Sequence, residues 1–105
     1  MTEINYSKKD GTVRISIVGH ALFNPGCDIV CAGVSAITFQ MLSCIADLED
    51  DGMIYDLTTE VRDGFVIAQF TLAPETFDIW DTMWKVIETG YGNLALAYPE
   101  NVRLV

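Results

Sequence analysis

Basic residues are scarce in this chain, and proline, cysteine and histidine are scarcer still. Six Lys and Arg stand against fifteen Asp and Glu, which gives a formal net charge of −9. Nucleic-acid binding needs clustered basic side chains, so we do not expect a nucleic-acid partner. The same charge would attract a basic peptide or protein, although on charge alone solubility is the simpler explanation.

Signals for export and for membrane insertion are not found in the sequence. The chain starts Met1-Thr2-Glu3, without a basic segment followed by an apolar one, and we read no apolar run as long enough to span a bilayer. Three cysteines cannot all pair within one chain, which favours reduced thiols. We therefore expect a cytoplasmic protein without a membrane partner. Its 105 residues predict a single domain, 1–105, with one core.

Two β-hairpins are predicted from alternating apolar and polar residues. The first turns at Lys9-Asp10-Gly11, and the second at Arg62-Asp63-Gly64 between strands over 53–61 and 65–72. Asp-Gly between alternating runs is a strong hairpin signal, because Gly accepts positive φ at no steric cost.

A helix is predicted after each hairpin. The first runs over 29–48, with Asp28 as its N-cap and Gly52 as its stop, and its apolar composition predicts burial on most sides. The second begins near Pro74 and carries one aromatic stripe to Ala97, which we assign to the core or to the core plus a dimer surface. The order ββαββα, with a short final strand as an option over 102–105, predicts an α+β fold. The helices then pack on a mostly antiparallel sheet.

The only histidine and one of the cysteines form a candidate catalytic pair. His20 follows the second strand, and Cys31 stands in the first turn of the first helix. A helix N-terminus and a nearby imidazole both favour the reactive thiolate form of a cysteine. If His20 approaches Cys31, it can take the thiol proton and return it to a leaving amine.

The surroundings of this pair are candidates for supporting roles. Backbone N–H groups at the helix start are candidates for binding the oxyanion of a tetrahedral intermediate. Asp28 is expected to cap the helix rather than to act as a catalytic acid, with orientation of His20 as an additional candidate role. The hydroxyl of Ser35 is expected to bond back to the carbonyl of Cys31, with a role in the site as the minor alternative. The connecting loop is a candidate lid with Gly26 as its hinge; its residues are Leu22, Phe23, Asn24, Pro25 and Gly26.

The other two cysteines are weaker candidates. Cys27 precedes the helix, so it gains less from the helix dipole; it is a second possible nucleophile, a redox partner of Cys31 or an inert neighbour. Cys44 is thirteen residues beyond Cys31, roughly 20 Å along a helix, and is assigned to the core. That separation argues against a four-ligand zinc site built from His20 and all three cysteines. No glycine-rich phosphate loop is present, so no cofactor is expected.

These residues resemble the signature of a known enzyme family. Gly19-His20-Ala21, Gly26 and the stretch 28–36 (Asp-Ile-Val-Cys-Ala-Gly-Val-Ser-Ala) are similar to the motifs of the ribosomal-processing cysteine proteases, the Prp family. The ending 98–102 (Tyr-Pro-Glu-Asn-Val) is similar to the family's tail, so the resemblance covers nearly the whole chain.

The resemblance implies an endopeptidase that removes the N-terminal extension of a large-subunit ribosomal protein, or a phage relative that cuts capsid proteins. It implies a dyad with Cys31 as nucleophile and His20 as base. Gly19, Asp28 and Ser35 are supporting motif positions. No metal is implied, and a homodimer is. An acidic enzyme would attract a basic ribosomal substrate, and Leu22 and Phe23 would suit aromatic residues beside the cut bond.

Two other functions stay open on the sequence alone. One is a non-catalytic dimeric binding protein on the same fold. The other is a thiol redox regulator that uses Cys27 and Cys31.

Overall fold

The protein folds as one sheet with two helices. The computed structural model describes all residues from Met1 to Val105. The strands are β1 (Thr2–Lys9), β2 (Thr12–Val18), β3 (Ile54–Arg62), β4 (Phe65–Leu72) and β5 (Val102–Leu104); the helices are α1 (Ile29–Asp50) and α2 (Phe77–Ala97), and a 3₁₀ turn, Pro74–Thr76, precedes α2. The predicted ββαββα order with a short final strand is confirmed, and the fold is α+β.

The strands lie in the order β3-β4-β2-β1-β5. Both hairpins are antiparallel, and β2 joins them by pairing antiparallel with β4. Only β5 pairs parallel, beside β1. The sheet is therefore mostly antiparallel, as predicted, and the β3–β4 turn lies next to the end of β2, where His20 follows.

One face of the sheet carries the core. Along β2, Val13, Ile15 and Ile17 are buried, while Arg14 between them is exposed. The aromatic stripe of α2 packs into this core, as the spacing predicted; its buried members are Trp80, Trp84, Ile87 and Tyr91. The rings of Phe70 and Trp80 meet edge to face at 5.0 Å, which adds specific geometry to the apolar contact.

Helix α1 is buried on one side only, so the expectation of burial on most sides was wrong. Ile29 and Phe39 are 62% and 57% exposed. The buried residues form one stripe, namely Val30, Val34, Thr38, Met41, Ile45 and Leu48. The helix is also long and apolar enough to cross a membrane by length and composition, contrary to our reading of the sequence. Composition did not reveal the exposed side, because it does not say which faces of a helix meet a partner.

Candidate active site

His20 and Cys31 line the same cavity. This cavity has a volume of about 460 Å³ and lies between the end of β2, the start of α1 and the β3–β4 turn. Two other predicted site residues, Gly19 and Ser35, also line it. The fold therefore brings four of the predicted residues to one place.

The start of α1 is built as the sequence predicted. Oδ1 of Asp28 accepts hydrogen bonds from the backbone N–H groups of Val30 (2.9 Å) and Cys31 (3.0 Å). Asp28 is therefore the N-cap and Cys31 is the third helical residue. This position puts the thiol at the positive end of the helix dipole.

Asp28 also holds the loop that connects His20 to the helix. Its Oδ2 accepts from the backbone N–H groups of Phe23 (2.9 Å) and Asn24 (3.1 Å). Partial desolvation acts to raise the pKa of Asp28, but the four hydrogen bonds from backbone N–H groups outweigh it and hold the pKa below its ordinary value. The carboxylate thus ties the loop and the helix start together.

Most backbone N–H groups of the first turn of α1 already donate hydrogen bonds within the protein. Those of Val30 and Cys31 donate to the Asp28 side chain, and that of Ala32 donates to the Asp28 carbonyl at 3.0 Å. Three N–H groups of this turn therefore already have partners, and an oxyanion site at the helix start stays a prediction. The backbone N–H that faces the thiol comes instead from Ala21, which lies 3.4 Å from Sγ of Cys31.

His20 is held by the β3–β4 turn. Its imidazole is about half exposed, and its Nε2 lies 3.7 Å from Oδ2 of Asp63. The backbone N–H of Gly19 donates to the carbonyl of Gly64 at 2.8 Å, which joins the end of β2 to that turn. The carboxylate that faces His20 therefore belongs to Asp63, whereas all the side-chain hydrogen bonds of Asp28 go to backbone N–H groups.

The loop residues lie away from the cavity. Leu22 and Phe23 are 64% and 47% exposed. The ring of Phe23 packs edge to face on Tyr98, with 5.1 Å between ring centroids, and Leu22 has a φ of +58°. None of the five residues Leu22, Phe23, Asn24, Pro25 and Gly26 lines the cavity. Closure of this loop over a substrate stays a prediction.

Ser35 does not make the predicted bond to the carbonyl of Cys31. It is exposed and lines the cavity instead. One turn further along α1, the buried Thr38 makes a bond of that kind to the carbonyl of Val34 at 2.7 Å, and it also meets the hydroxyl of Tyr91 at 2.7 Å. A buried hydroxyl needs such partners, whereas one that faces an open cavity can bond to water.

The three cysteines are free thiols in different environments. Cys27 is exposed, whereas Cys31 and Cys44 are half-buried. Helix α1 runs unbroken from Cys31 to Cys44, as the spacing argument required.

Several residues near His20 and Cys31 were not predicted from the sequence. In the sequence, Asp63 and Gly64 carry only a hairpin-turn signal, and Asn101 only belongs to the stretch that is similar to the family's tail. Asn101 donates from Nδ2 to the carbonyl of Ala21 at 2.8 Å. Nothing local in the sequence signals these contacts, because they join segments 40 to 80 residues apart.

A thiol at a capped helix start, sharing a cavity with an imidazole, is an arrangement typical of cysteine proteases. The family model described as cysteine protease Prp matches residues 1–103. The chain therefore belongs to the Prp family of cysteine proteases, and it is a hydrolase.

Solved structures share the fold. The essential ribosomal processing protease Prp from S. aureus, in complex with a substrate peptide, aligns with a TM-score of 0.73 at 24% identity, over 100% of this chain and 98% of that one. The same enzyme with a covalently linked product peptide gives 0.71 at 23% identity, over 99% and 97%. SMU.848 from Streptococcus mutans gives 0.69 at 24% identity, over 99% and 91%. No curated protein matches the sequence.

Proposed function

We propose that this protease uses Cys31 and His20 as a catalytic dyad to remove the N-terminal extension of a basic large-subunit ribosomal protein. The observation that carries the proposal is the cavity that both side chains line, with Cys31 at the capped start of α1. The similar fold of an S. aureus enzyme described as a ribosomal processing protease supports the choice of substrate.

The reaction follows from these two groups. His20 takes the proton of the Cys31 thiol, and the thiolate attacks the carbonyl carbon of the scissile peptide bond. The C–N bond then breaks, and the imidazolium returns the proton to the departing amine, which leaves the extension bound to sulfur as a thioester. Water, deprotonated by His20, hydrolyses the thioester and restores the thiol.

The contact of His20 with Asp63 supports different roles for the two ring nitrogens of the imidazole. With Nε2 towards the Asp63 carboxylate, Nδ1 is the ring nitrogen left to exchange a proton with Cys31. In the resting arrangement His20 and Cys31 are not hydrogen-bonded to each other. The imidazole therefore has to approach the thiol when a substrate is bound, as often happens in catalytic sites.

The charge of the chain supports a basic substrate. A net charge of −9 favours encounter with a positively charged ribosomal protein. A phage capsid protein is the alternative substrate that the family resemblance implies. Leu22 and Phe23, exposed on the loop, are proposed to contact aromatic residues beside the cut bond.

We also propose that the protein forms a homodimer and is located in the cytoplasm. The exposed side of α1 carries an apolar stripe at helical spacing, which consists of Ile29, Ala32, Ala36 and Phe39. Small residues within such a stripe let two helices approach closely, so a second copy of the chain is the partner we propose for it. Phe39 also lines the catalytic cavity, so the dimer would border the site.

Peptide cleavage tests the proposal. The protein is incubated with peptides that span the N-terminal extension of the ribosomal protein and with peptides from phage capsid proteins, and products are identified by mass spectrometry. We expect one cut in the ribosomal peptide by the wild type and by Cys27→Ala, and none by Cys31→Ala or His20→Ala. A wild type that cuts neither set would contradict the proposed function.

Two further measurements separate the alternatives. A binding protein would show affinity for the peptide without turnover. A redox regulator would require a reversible disulfide between Cys27 and Cys31 under mild oxidant, and an activity that depends on it. The exposure of Cys27 leaves its thiol open to oxidants, but the family match favours the protease.

A further inference from the structure

The turn at 98–101 contacts the segment that carries His20. Nδ2 of Asn101 donates to the carbonyl oxygen of Ala21 at 2.8 Å, in a partly buried position. The carbonyl of Asn101 accepts from the N–H of Thr2 at 2.9 Å, and the Thr2 hydroxyl donates to the carbonyl of Gly19 at 3.2 Å. The backbone on both sides of His20 is therefore fixed by residues distant in the sequence.

Ala21 presents its N–H to the reactive sulfur. The residue is fully buried, and its N–H points at Sγ of Cys31 from 3.4 Å. The N–H groups of Val30, Cys31 and Ala32 in the first helical turn are already engaged. A hydrogen bond to a charged acceptor is roughly twice as strong as one between neutral groups, so this N–H favours the thiolate over the thiol.

We propose that the N–H of Ala21 stabilises the thiolate of Cys31, and that Asn101 is the positioning residue that holds this N–H in place. Asn101 does not touch the sulfur and acts through the backbone of Ala21, whose N–H and carbonyl are both engaged. The proposal rests on Cys31 being the nucleophile, as proposed above. It gives a role to Asn101, a residue of the stretch 98–102 whose similarity to the family's tail is not explained by the catalytic dyad.

The first test measures the reactivity of Cys31 without any substrate. Asn101→Leu removes the amide and keeps the branching of the side chain, and Asn93→Leu, on an exposed position of α2, is the matched control. Alkylation by iodoacetamide is followed at each cysteine by tandem mass spectrometry at pH 6.5 and pH 9.5, with Cys27 as internal reference. A thermal melt confirms that each variant is folded.

We expect Asn101→Leu to slow alkylation of Cys31 about tenfold at pH 6.5, as fits the loss of one hydrogen bond to a charged group. At pH 9.5, where far more of the thiol is ionised, the difference shrinks. Asn93→Leu behaves as the wild type at both pH values. An unchanged rate at pH 6.5, or an equal loss at both pH values, would overturn the proposal, since the second result indicates a change in access only.

The second test uses the unmodified protein and does not depend on the folding of a variant. In a pH titration followed by NMR, the amide proton resonance of Ala21 moves together with the Cβ resonance of Cys31 if the N–H donates to the sulfur. If the amide proton resonance of Ala21 does not change as Cys31 ionises, the proposal is contradicted. Neither test uses a peptide substrate, so a failure to cut peptides would count against the proposed function and not against this inference.

Discussion

The imidazole of His20 lies against the backbone of Gly64. A Cβ atom on Gly64 would stand 2.7 Å from Nε2 of His20, closer than real Cβ contacts allow, and Gly64 has a φ of +67°. The N–H of Gly19 bonds to the carbonyl of Gly64 at 2.8 Å, so the two segments cannot move apart easily. The β3–β4 turn, more than 40 residues beyond His20, therefore sets where the imidazole sits.

The first prediction concerns Gly64→Ala. The added methyl group pushes the imidazole out of place, and we expect kcat to fall between about tenfold and a hundredfold, as misplaced catalytic groups do. Gly52→Ala is the matched control, because Gly52 has a similar φ of +70° with open space around its Cβ position. Both variants carry the same kind of backbone strain, on the order of 1 kcal/mol. Equal peptidase activity in the two variants would contradict the role given to Gly64.

The second prediction concerns the pH dependence of the loop. The pKa of Asp28 is lower in the folded protein, despite partial desolvation, because four backbone N–H groups donate to the carboxylate. Its stabilisation is therefore present above the pKa of the unfolded state and is lost as the pH falls through the folded pKa. Protection factors for hydrogen exchange at 22–28, which correct for the intrinsic slowing of exchange in acid, should fall as the solution is acidified through that range.

Substitution gives the control for this effect. Asp28→Asn keeps one acceptor oxygen and loses the other together with the charge. Its protection factors at 22–28 should therefore already be lower at neutral pH and should change little further on acidification. Asp78→Asn, an exposed position in the first turn of α2, should leave exchange at 22–28 unaltered. If the protection factors of the loop in Asp28→Asn still fell with pH as they do in the wild type, Asp28 would be ruled out as the group responsible.

Most of the fold follows from local sequence signals, whereas the site follows only in part. The Asp-Gly turns, the Asp28 cap and the aromatic spacing of α2 each act over a few residues, so they can be recognised in a linear reading. The contacts of His20 with Asp63 and Gly64, and that of Ala21 with Asn101, depend on how distant segments meet. The exposed side of α1 was missed for the same reason, since residues 29–42 are nearly all apolar or small and do not mark which side meets a partner.

The third prediction tests electrostatic attraction of the substrate. If the charge of −9 speeds the encounter with a basic ribosomal protein, kcat/KM for the intact protein falls as salt rises from low ionic strength to about 0.5 M. A short uncharged peptide with the same residues around the cut bond should respond far less. If both substrates showed the same salt dependence, or neither showed any, the net charge of the chain would not be what speeds the encounter with the substrate.

The fourth prediction tests the dimer. Ala36→Glu places a charge in the middle of the apolar stripe of α1, so it should shift the protein from dimer to monomer in light scattering after size-exclusion chromatography. Ala97→Glu makes the same change at an exposed position of α2 and should leave the dimer intact. A wild type that runs as a monomer, or an Ala36→Glu variant that stays dimeric, argues against this stripe as the interface.

The fifth prediction concerns the loop as a substrate contact. Replacing Leu22 and Phe23 by Ser removes two exposed apolar side chains and the packing of Phe23 on Tyr98. We expect a KM several-fold higher for peptides with an aromatic residue beside the cut bond, and a smaller change when that residue is Ala. Unchanged kinetics for the aromatic peptides would exclude these two residues from substrate recognition.

The most direct test of the central claim is detection of the covalent intermediate. The protein is mixed with a peptide that carries the N-terminal extension, quenched in acid within seconds and measured as an intact mass, with the site of attachment found by fragmentation. A dyad of Cys31 and His20 predicts an adduct with the mass of the extension less one water on Cys31, and no adduct in Cys31→Ala. An adduct on Cys27, or peptide cleavage at the wild-type rate by Cys31→Ala, would contradict it.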